Sequence, residues 1–260
     1  MMLGFRAKSA AVEATPLSDE ESPAAVPADT RVYAVGDIHG RADLLTALHR
    51  KIADDAATHG AGRNVVVYLG DYIDRGPDSR RVVEILLDDP LATFESVHLM
   101  GNHEAFLLGF LEDPGQGTGW LVNGGVETLA SYGVEAPDDI VGAESLTDLR
   151  ARAVAALPAA HLDFFESLAL THEEGDYFFV HAGIRPDIAL EAQDPDDLLW
   201  IREDFLDSSA DHGRTIVHGH TISWEPEFRD NRIGIDTGAF ASDVLTALVL
   251  SGSARALLQS

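Results

Sequence analysis

Five short segments of the 260-residue chain each set a glycine beside side chains that can hold a metal ion. They are Gly36-Asp37-Ile38-His39-Gly40, Gly70-Asp71-Tyr72-Ile73-Asp74-Arg75-Gly76, Gly101-Asn102-His103-Glu104, His181-Ala182-Gly183 and His218-Gly219-His220. Their ligand types are carboxylate, amide and imidazole. Hard oxygen with imidazole and no thiolate suits manganese, iron or zinc in a reactive centre rather than a structural zinc site. The chain has no cysteine, which also excludes disulfides and a Cys nucleophile. Two ions about 3.5–4 Å apart need a bridging group, and a carboxylate can bridge while offsetting part of their repulsion. Asp71 lies between the other ligand segments in sequence and is the natural bridge.

Each segment follows an apolar run, and these runs must position it. Arg31–Val35, Asn64–Leu69 and Ser96–Met100 read as strands. Ala42–Ala57, Ser79–Leu87 and Glu104–Leu111 carry apolar residues at helical spacing, such as Leu44, Leu45, Leu48 and Ile52. Strand–helix–strand–helix–strand is a βαβαβ unit with a parallel sheet. In open α/β sheets, sites form beyond the carboxyl ends of the strands, where all these ligands fall. Further on, Trp120–Tyr132 and Ala143–Leu170 read as helical, broken by Gly133, Pro137 and Pro158. Tyr177–Val180, Thr215–Val217, Asn231–Ile235, Asp243–Leu250 and Ala254–Leu258 read as strands of a second, partly antiparallel sheet packed on the first. The expected fold class is α/β, a β-sandwich of mixed sheets flanked by helices. Residues 1–29, rich in Ala, Pro and acidic side chains, are expected to form a disordered tail before one domain spanning 30–260.

Charge narrows the partners. Lys and Arg number 18 against 44 Asp and Glu, a net charge of −26. Such a surface repels nucleic-acid backbones and anionic membranes and attracts divalent cations. No apolar run reaches the roughly 18 residues that a membrane span needs. The N-terminus has Arg6 and Lys8 but no apolar stretch after them, so a cytoplasmic protein is expected.

In this order and with these gaps, GDIHG, GDYIDRG, GNHE and HAG resemble the PPP family of serine/threonine protein phosphatases, in particular its small bacterial and phage members. The resemblance implies a metallophosphoesterase (calcineurin-like) fold. It implies two divalent ions per chain, with Mn²⁺ expected and Fe or Zn as alternatives. Asp37 and His39 would bind the first ion, Asp71 would bridge, and Asn102, His181 and His220 would complete the second. His103 would act as general acid on the leaving group, oriented by Asp74. Arg75 and Arg202, the latter within Leu198-Leu199-Trp200-Ile201-Arg202-Glu203, would hold the phosphate.

Elementary chemistry agrees with that set. Two metals lower the pKa of a shared water and supply hydroxide near neutrality for in-line attack. Arginine forks match phosphate oxygens. A serine alkoxide is a poor leaving group and needs a proton donor. The resemblance thus implies hydrolysis of phosphoserine and phosphothreonine in a phosphoprotein or phosphopeptide; no nucleic-acid or membrane partner and a monomeric chain are expected. The alternative is a symmetrical dinucleoside tetraphosphate hydrolase. Those enzymes typically lack an Asp at the position of Asp74 and carry GNHD, where this chain has Asp74 and Glu104. A catalytically dead binding module should have lost a ligand, and none is missing.

Other features stay open or bland. His218 reads as structural or as an outer partner of a ligand, and Asp236 as structural or as an orienter of a ligand His. Trp120 with Asn123-Gly124-Gly125 fits either a cap over the cleft or a helix junction. His49, His59, His98, His161, His172 and His212 lie outside the motifs and read as structural.

Overall fold

The computed structural model describes residues 14–16, 23–88, 91–136 and 143–260. The chain runs through β1 (Thr15–Pro16), β2 (Thr30–Val35), α1 (Ala42–His59), β3 (Arg63–Tyr68), α2 (Ser79–Leu87), β4 (Glu95–His98) and α3 (Asn102–Glu112). β2 pairs with β3 and β3 with β4 in parallel, so the βαβαβ unit is present. Its strands are nearly continuous apolar runs because both faces are covered. Val32, Ala34, Val65 and Val67 point into the space between two sheets. Tyr33, Val35, Val66 and Tyr68, one residue out of phase, pack on Leu45, Leu48 and Ile52 of α1 and Val82 and Val83 of α2.

The second half supplies β5 (Thr171–Glu174), β6 (Tyr177–Val180), β7 (Thr215–His218), β8 (Glu227–Phe228), β9 (Arg232–Gly234), β10 (Thr246–Ser251) and β11 (Ala254–Gln259). One sheet has the order β1-β11-β10-β2-β3-β4 and the other β5-β6-β7-β9-β8. Both are mixed, and they face each other across Leu69, Tyr177, Phe179, Val217, Ile233 and Leu248. The outer face of the second sheet is covered by the short helices Pro195–Trp200 and Glu203–Leu206 through Leu198, Ile201 and Phe205. The fold is thus α/β, a β-sandwich flanked by helices.

Three expectations are corrected. The C-terminal hairpin, expected in the second sheet, completes the first, where β10 pairs antiparallel with β2. β10 is buried on both faces, with Ala247 and Val249 toward the helices and Leu248 and Leu250 toward the sandwich interior. Such a strand belongs in a central position, and the side of β2 not taken by β3 offers one.

The end of the expected tail also differs, since Pro23–Asp29 packs on the domain. The tail expectation lies outside the described residues for 1–13 and 17–22. Pro23–Asp29 is ordered: Ala24 and Val26 are buried in the sandwich core. The Ala25 N–H donates to Asp176 at 3.0 Å, and the Val26 N–H donates to the Gly252 carbonyl at 3.0 Å. Thr15–Pro16 pairs with β11. Composition counts side chains, whereas this segment is held largely through its backbone, which finds donors and acceptors on loops and on a sheet edge.

Finally, Trp120–Tyr132 is not one helix. A helical turn over Gly117–Trp120 passes through a wide turn at Leu121–Gly125, kinked at Gly124 (φ 111°), into a helix over Val126–Ser131. Ala143–Ala156 and Ala159–Glu166 are separate helices, divided at Leu157-Pro158, where the break at Pro158 was expected. Pro137 lies outside the described residues. Among the described residues no helix is long and apolar enough to cross a membrane.

Candidate metal centre

Five strand ends meet at one point. Asp37 and His39 lie just past β2, Asp71, Asp74 and Arg75 past β3, Asn102 and His103 past β4, His181 past β6 and His220 past β7. The helix after β4 begins at Asn102, two residues earlier than expected, so Asn102 and His103 occupy its first turn. Among the described residues, eight non-glycine residues have left-handed backbone, and His39, Asp71, Asp74, Arg75 and His220 are five of them. Each costs of order 1–3 kcal/mol and persists only where its surroundings over-determine it. Here the Asp71 carbonyl accepts the N–H groups of Ile38 and His39 at 3.1 and 2.8 Å, and the Tyr72 carbonyl accepts that of Gly40 at 2.9 Å. Two glycines are fixed by the ligands themselves. A Cβ on Gly219 would lie 2.0 Å from Asp37 Oδ1, and one on Gly101 would lie 2.2 Å from Asp71 Oδ1.

The ligand atoms form two buried triads that share Asp71: His39, Asp71 and His103, and Asp71, His181 and His220. Asp71 Oδ2 is 3.5 Å from His39 Nε2, and its Oδ1 is 3.5 Å from His181 Nε2. Asn102 Oδ1 joins the second triad, 2.9 Å from His181 Nε2 and 2.8 Å from His220 Nδ1. Asp37 stands beside the triads, not within them. Its carboxylate accepts the His220 N–H at 3.0 Å and abuts Asp236.

The donor set fits cations. His39 Nδ1 and His181 Nδ1 bond the carbonyls of Ile73 and Leu69 at 2.8 and 2.9 Å, which places the hydrogen there and leaves Nε2 with a lone pair. Burial pushes His39 down to about 3 and His220 down to about 2, and lowers His181 as well, so all three rings are neutral. Lone pairs therefore face the oxygens of Asp71 and Asn102, acceptor against acceptor, and His220 Nε2 is buried without a partner. Burial opposes charge on Asp71, whereas His103, held above its ordinary value, favours it, and the net direction is below the usual carboxylate range. Burial, then Asp236 and Asp71, push Asp37 well above that range. Divalent cations, if held by these groups, would relieve both the acceptor contacts and the carboxylate repulsion.

His103, a member of the first triad, is also paired with Asp74. His103 Nδ1 donates to Asp74 Oδ2 at 2.6 Å, leaving Nε2 toward the cleft. Burial disfavours charge on His103, yet the Asp71 and Asp74 carboxylates hold it above its ordinary value. Arg75 reaches the same place: Nη1 lies 3.0 Å from His39 Nε2 and Nη2 lies 3.0 Å from His103 Nε2, with Phe240 under the guanidinium at 5.0 Å. Arg202 is exposed at the rim, donates to Thr221 Oγ1 at 3.2 Å, and its charge reaches His181 and His220.

His218 turns away, with Nδ1 toward the Gly219 carbonyl, Nε2 toward Arg232 at 3.4 Å and its ring on Phe205. Asp236 orients no histidine. It caps Gly238 and is pushed up to about 6, chiefly by burial and then by Asp71. His49 bonds the Tyr68 hydroxyl, His98 stacks on Tyr68, and His161 bonds Tyr132, all away from the centre.

Sequence reasoning missed three contributors. Glu104 is fully buried, with Oε2 accepting the N–H groups of Asp71 and Gly101 and Oε1 those of Tyr72 and Ile73, so it fixes the loop that carries Asp71. Its place three residues into a helix was a readable capping signal. Trp120 Nε1 and Thr128 Oγ1 donate to Asp74 at 2.9 and 2.6 Å; Trp120 stood out in the sequence only as a candidate cap over the cleft, and Thr128 not at all.

The chain is similar to known proteins in sequence and fold. The family model for calcineurin-like phosphoesterases matches residues 30–243. The asymmetrical bis(5'-nucleosyl)-tetraphosphatase PrpE of Anoxybacillus flavithermus is 27% identical over 238 residues, covering 82% of this chain and 88% of that protein. Serine/threonine-protein phosphatase 2 of Escherichia coli is 36% identical over 94 residues, 36% of this chain and 38% of that protein. A solved structure provisionally assigned as a diadenosine tetraphosphatase superposes with a TM-score of 0.58 at 22% identity, covering 91% of this chain and 98% of that one. The cold-active protein-tyrosine phosphatase of a Shewanella species gives 0.53 at 17%, covering 91% and 82%. At these identities the two structures speak for the fold alone.

Proposed function

The chain belongs to the calcineurin-like phosphoesterases, metal-dependent hydrolases, and we propose that within that family it cleaves phosphate monoesters of serine and threonine in proteins. The carrying observation is the His103–Asp74 pair, at 2.6 Å and almost wholly buried. An alkoxide leaving group must be protonated as its bond to phosphorus breaks, and general acid catalysis contributes about 10²–10⁴-fold where it is needed. A phosphate or nucleotide leaving group is a far weaker base and needs that help less.

In this reading Asp37 and His39 hold one divalent ion, Asn102, His181 and His220 hold the other, and Asp71 faces both. Bound there, the ions supply an acidified water and positive charge for the phosphate oxygens. Arg75 offers a planar fork where a phosphate would lie, and Arg202 approaches from the exposed rim. His103 Nε2 carries the proton that the leaving oxygen takes, and Asp74 fixes the tautomer that puts it there. The acidic surface suits a partner that is neither nucleic acid nor membrane.

A second reading, dinucleoside tetraphosphate hydrolysis, is favoured by the relatives that match over most of the chain. One panel separates the two. Protein stripped with EDTA and reloaded with Mn²⁺, Zn²⁺ or Fe²⁺ is assayed on phosphoserine, phosphothreonine and phosphotyrosine peptides and on diadenosine tetraphosphate. EDTA abolishes turnover, Mn²⁺ restores it best, and kcat/KM is at least tenfold higher on the phosphoserine or phosphothreonine peptide than on the dinucleotide. A higher kcat/KM on diadenosine tetraphosphate overturns the proposal in favour of the second reading.

A further inference from the structure

The kinked Trp120–Thr128 segment, exposed at Val122 and Val126 but buried at Trp120 and Thr128, converges on two residues of the site. Asp74 is wholly buried, and each of its oxygens is engaged. Oδ2 takes His103 Nδ1 at 2.6 Å and Trp120 Nε1 at 2.9 Å, while Oδ1 takes the Thr128 hydroxyl at 2.6 Å. The Thr128 oxygen also accepts the Asp74 N–H at 2.8 Å, shared with Ser79 Oγ at 3.0 Å, so Thr128 touches both side chain and backbone of Asp74. Carboxylate torsions are broad and roughly two-fold. An Asp held only by its histidine could swing, whereas one pinned on both oxygens cannot.

The same turn seats Arg75. The Gly124 carbonyl accepts the Arg75 N–H at 3.3 Å. Gly124 has φ 111°, and a Cβ there would lie 2.5 Å from Arg75 N and 2.9 Å from its Cγ. A Cβ on Gly125 would lie 2.6 Å from the Trp120 indole. The two glycines thus serve different neighbours, one the phosphate-facing arginine and one the tryptophan. The indole itself is fully buried against Phe110 with ring centres 5.2 Å apart, so packing alone would place it. Its N–H needs an acceptor when buried, and the acceptor it has is the carboxylate that orients His103.

We propose that Trp120 and Thr128 are positioning residues for the leaving-group proton: they pin Asp74 so that His103 presents Nε2 to the cleft, while Gly124 of the same turn seats Arg75. The inference rests on the reading of His103 as the acid. Outer partners that orient metal-binding side chains typically cost 10–100-fold when removed; a loss of that order is expected here, falling on substrates whose leaving group needs a proton.

The test compares a phosphoserine peptide with p-nitrophenyl phosphate, whose phenolate leaves without help, using Mn²⁺-loaded full-length protein. Trp120→Phe keeps the ring and removes the N–H. Thr128→Val keeps the shape and removes the hydroxyl, and Thr128→Ser restores it. The alkyl-to-aryl ratio of kcat is expected to fall about 10–100-fold in Trp120→Phe and Thr128→Val, to return in Thr128→Ser, and to do so with bound metal at the parent level. A merely structural role lowers both substrates together and leaves the ratio alone, which overturns the inference. If Trp120→Phe does not fold, the Thr128 pair carries the same test. His103→Asn is the reference. If it lowers the ratio while Trp120→Phe and Thr128→Val do not, only this inference fails. If it too leaves the ratio unchanged, the acid reading of His103 falls and takes this inference with it.

Discussion

Asp71 faces both ligand sets, and that makes a graded prediction for metal-linked stability. Its Oδ2 lies 3.5 Å from His39 Nε2 and its Oδ1 lies 3.5 Å from His181 Nε2, whereas His220 belongs to one triad. An ion that binds only the folded state at 100 times its Kd stabilises by about 2.7 kcal/mol. For a domain of this size each kcal/mol raises Tm by roughly 2–4 °C, so one ion gives roughly 5–11 °C and two give roughly 11–22 °C. The perturbations are Asp71→Asn, His220→Ala and His103→Asn, each measured as the difference in Tm between EDTA and saturating Mn²⁺, so that the metal-free baseline cancels. Elemental analysis of the loaded proteins counts the ions. Asp71→Asn removes the shared charge and leaves one acceptor oxygen where two sites draw on two. Its shift should collapse toward zero, while that of His220→Ala falls to about half. His103→Asn keeps the full shift if Nε2 serves the leaving group. Its membership of the first triad makes it the sharpest control, because a ligand role predicts a loss there instead. Equal losses in Asp71→Asn and His220→Ala would refute the bridge, and a halved shift in His103→Asn would refute the acid.

Two further outcomes are open to measurement. Because the Asp71 and Asp74 carboxylates hold His103 above its ordinary value despite burial, its protonated form is present below that raised value and is lost as pH rises through it; in kcat–pH profiles on a phosphoserine peptide the alkaline limb should therefore move to lower pH in Asp74→Asn, and a limb that stays or moves up contradicts the coupling. At the opposite end of β2, Asp55 is fully buried and takes Arg31 and the Tyr33 hydroxyl at 2.7 Å each, so Asp55→Ala strands a buried guanidinium and should cost about 3–5 kcal/mol in denaturant unfolding while leaving the Mn²⁺-induced Tm shift intact.

The ligand segments were legible in the sequence because each is local. A strand end, a glycine turn and the candidate ligand lie within a few residues, so spacing alone carries the local geometry, and the βαβαβ unit announces that the ends of β2, β3 and β4 share one edge of a sheet, while β6 and β7 bring theirs from the other sheet. Which of His218 and His220 joins the cluster was set by the turn between them. His218 closes β7 and lies on Phe205, while His220 sits at φ 62° and swings to Asn102. The sheet that received the C-terminal hairpin was not legible, since an apolar strand reports that both its faces are covered but not which edge covers it. Nor did composition foresee that Pro23–Asp29 would be held by its backbone. The partners of Asp74 lay furthest out of reach. Trp120 and Thr128 stand 46 and 54 residues away along the chain, and neither has a motif. Sequence patterns record what a residue does to its own neighbourhood. What meets a buried carboxylate from across the fold is decided by helix packing, because a buried charge takes whatever donors the packed chain delivers to it.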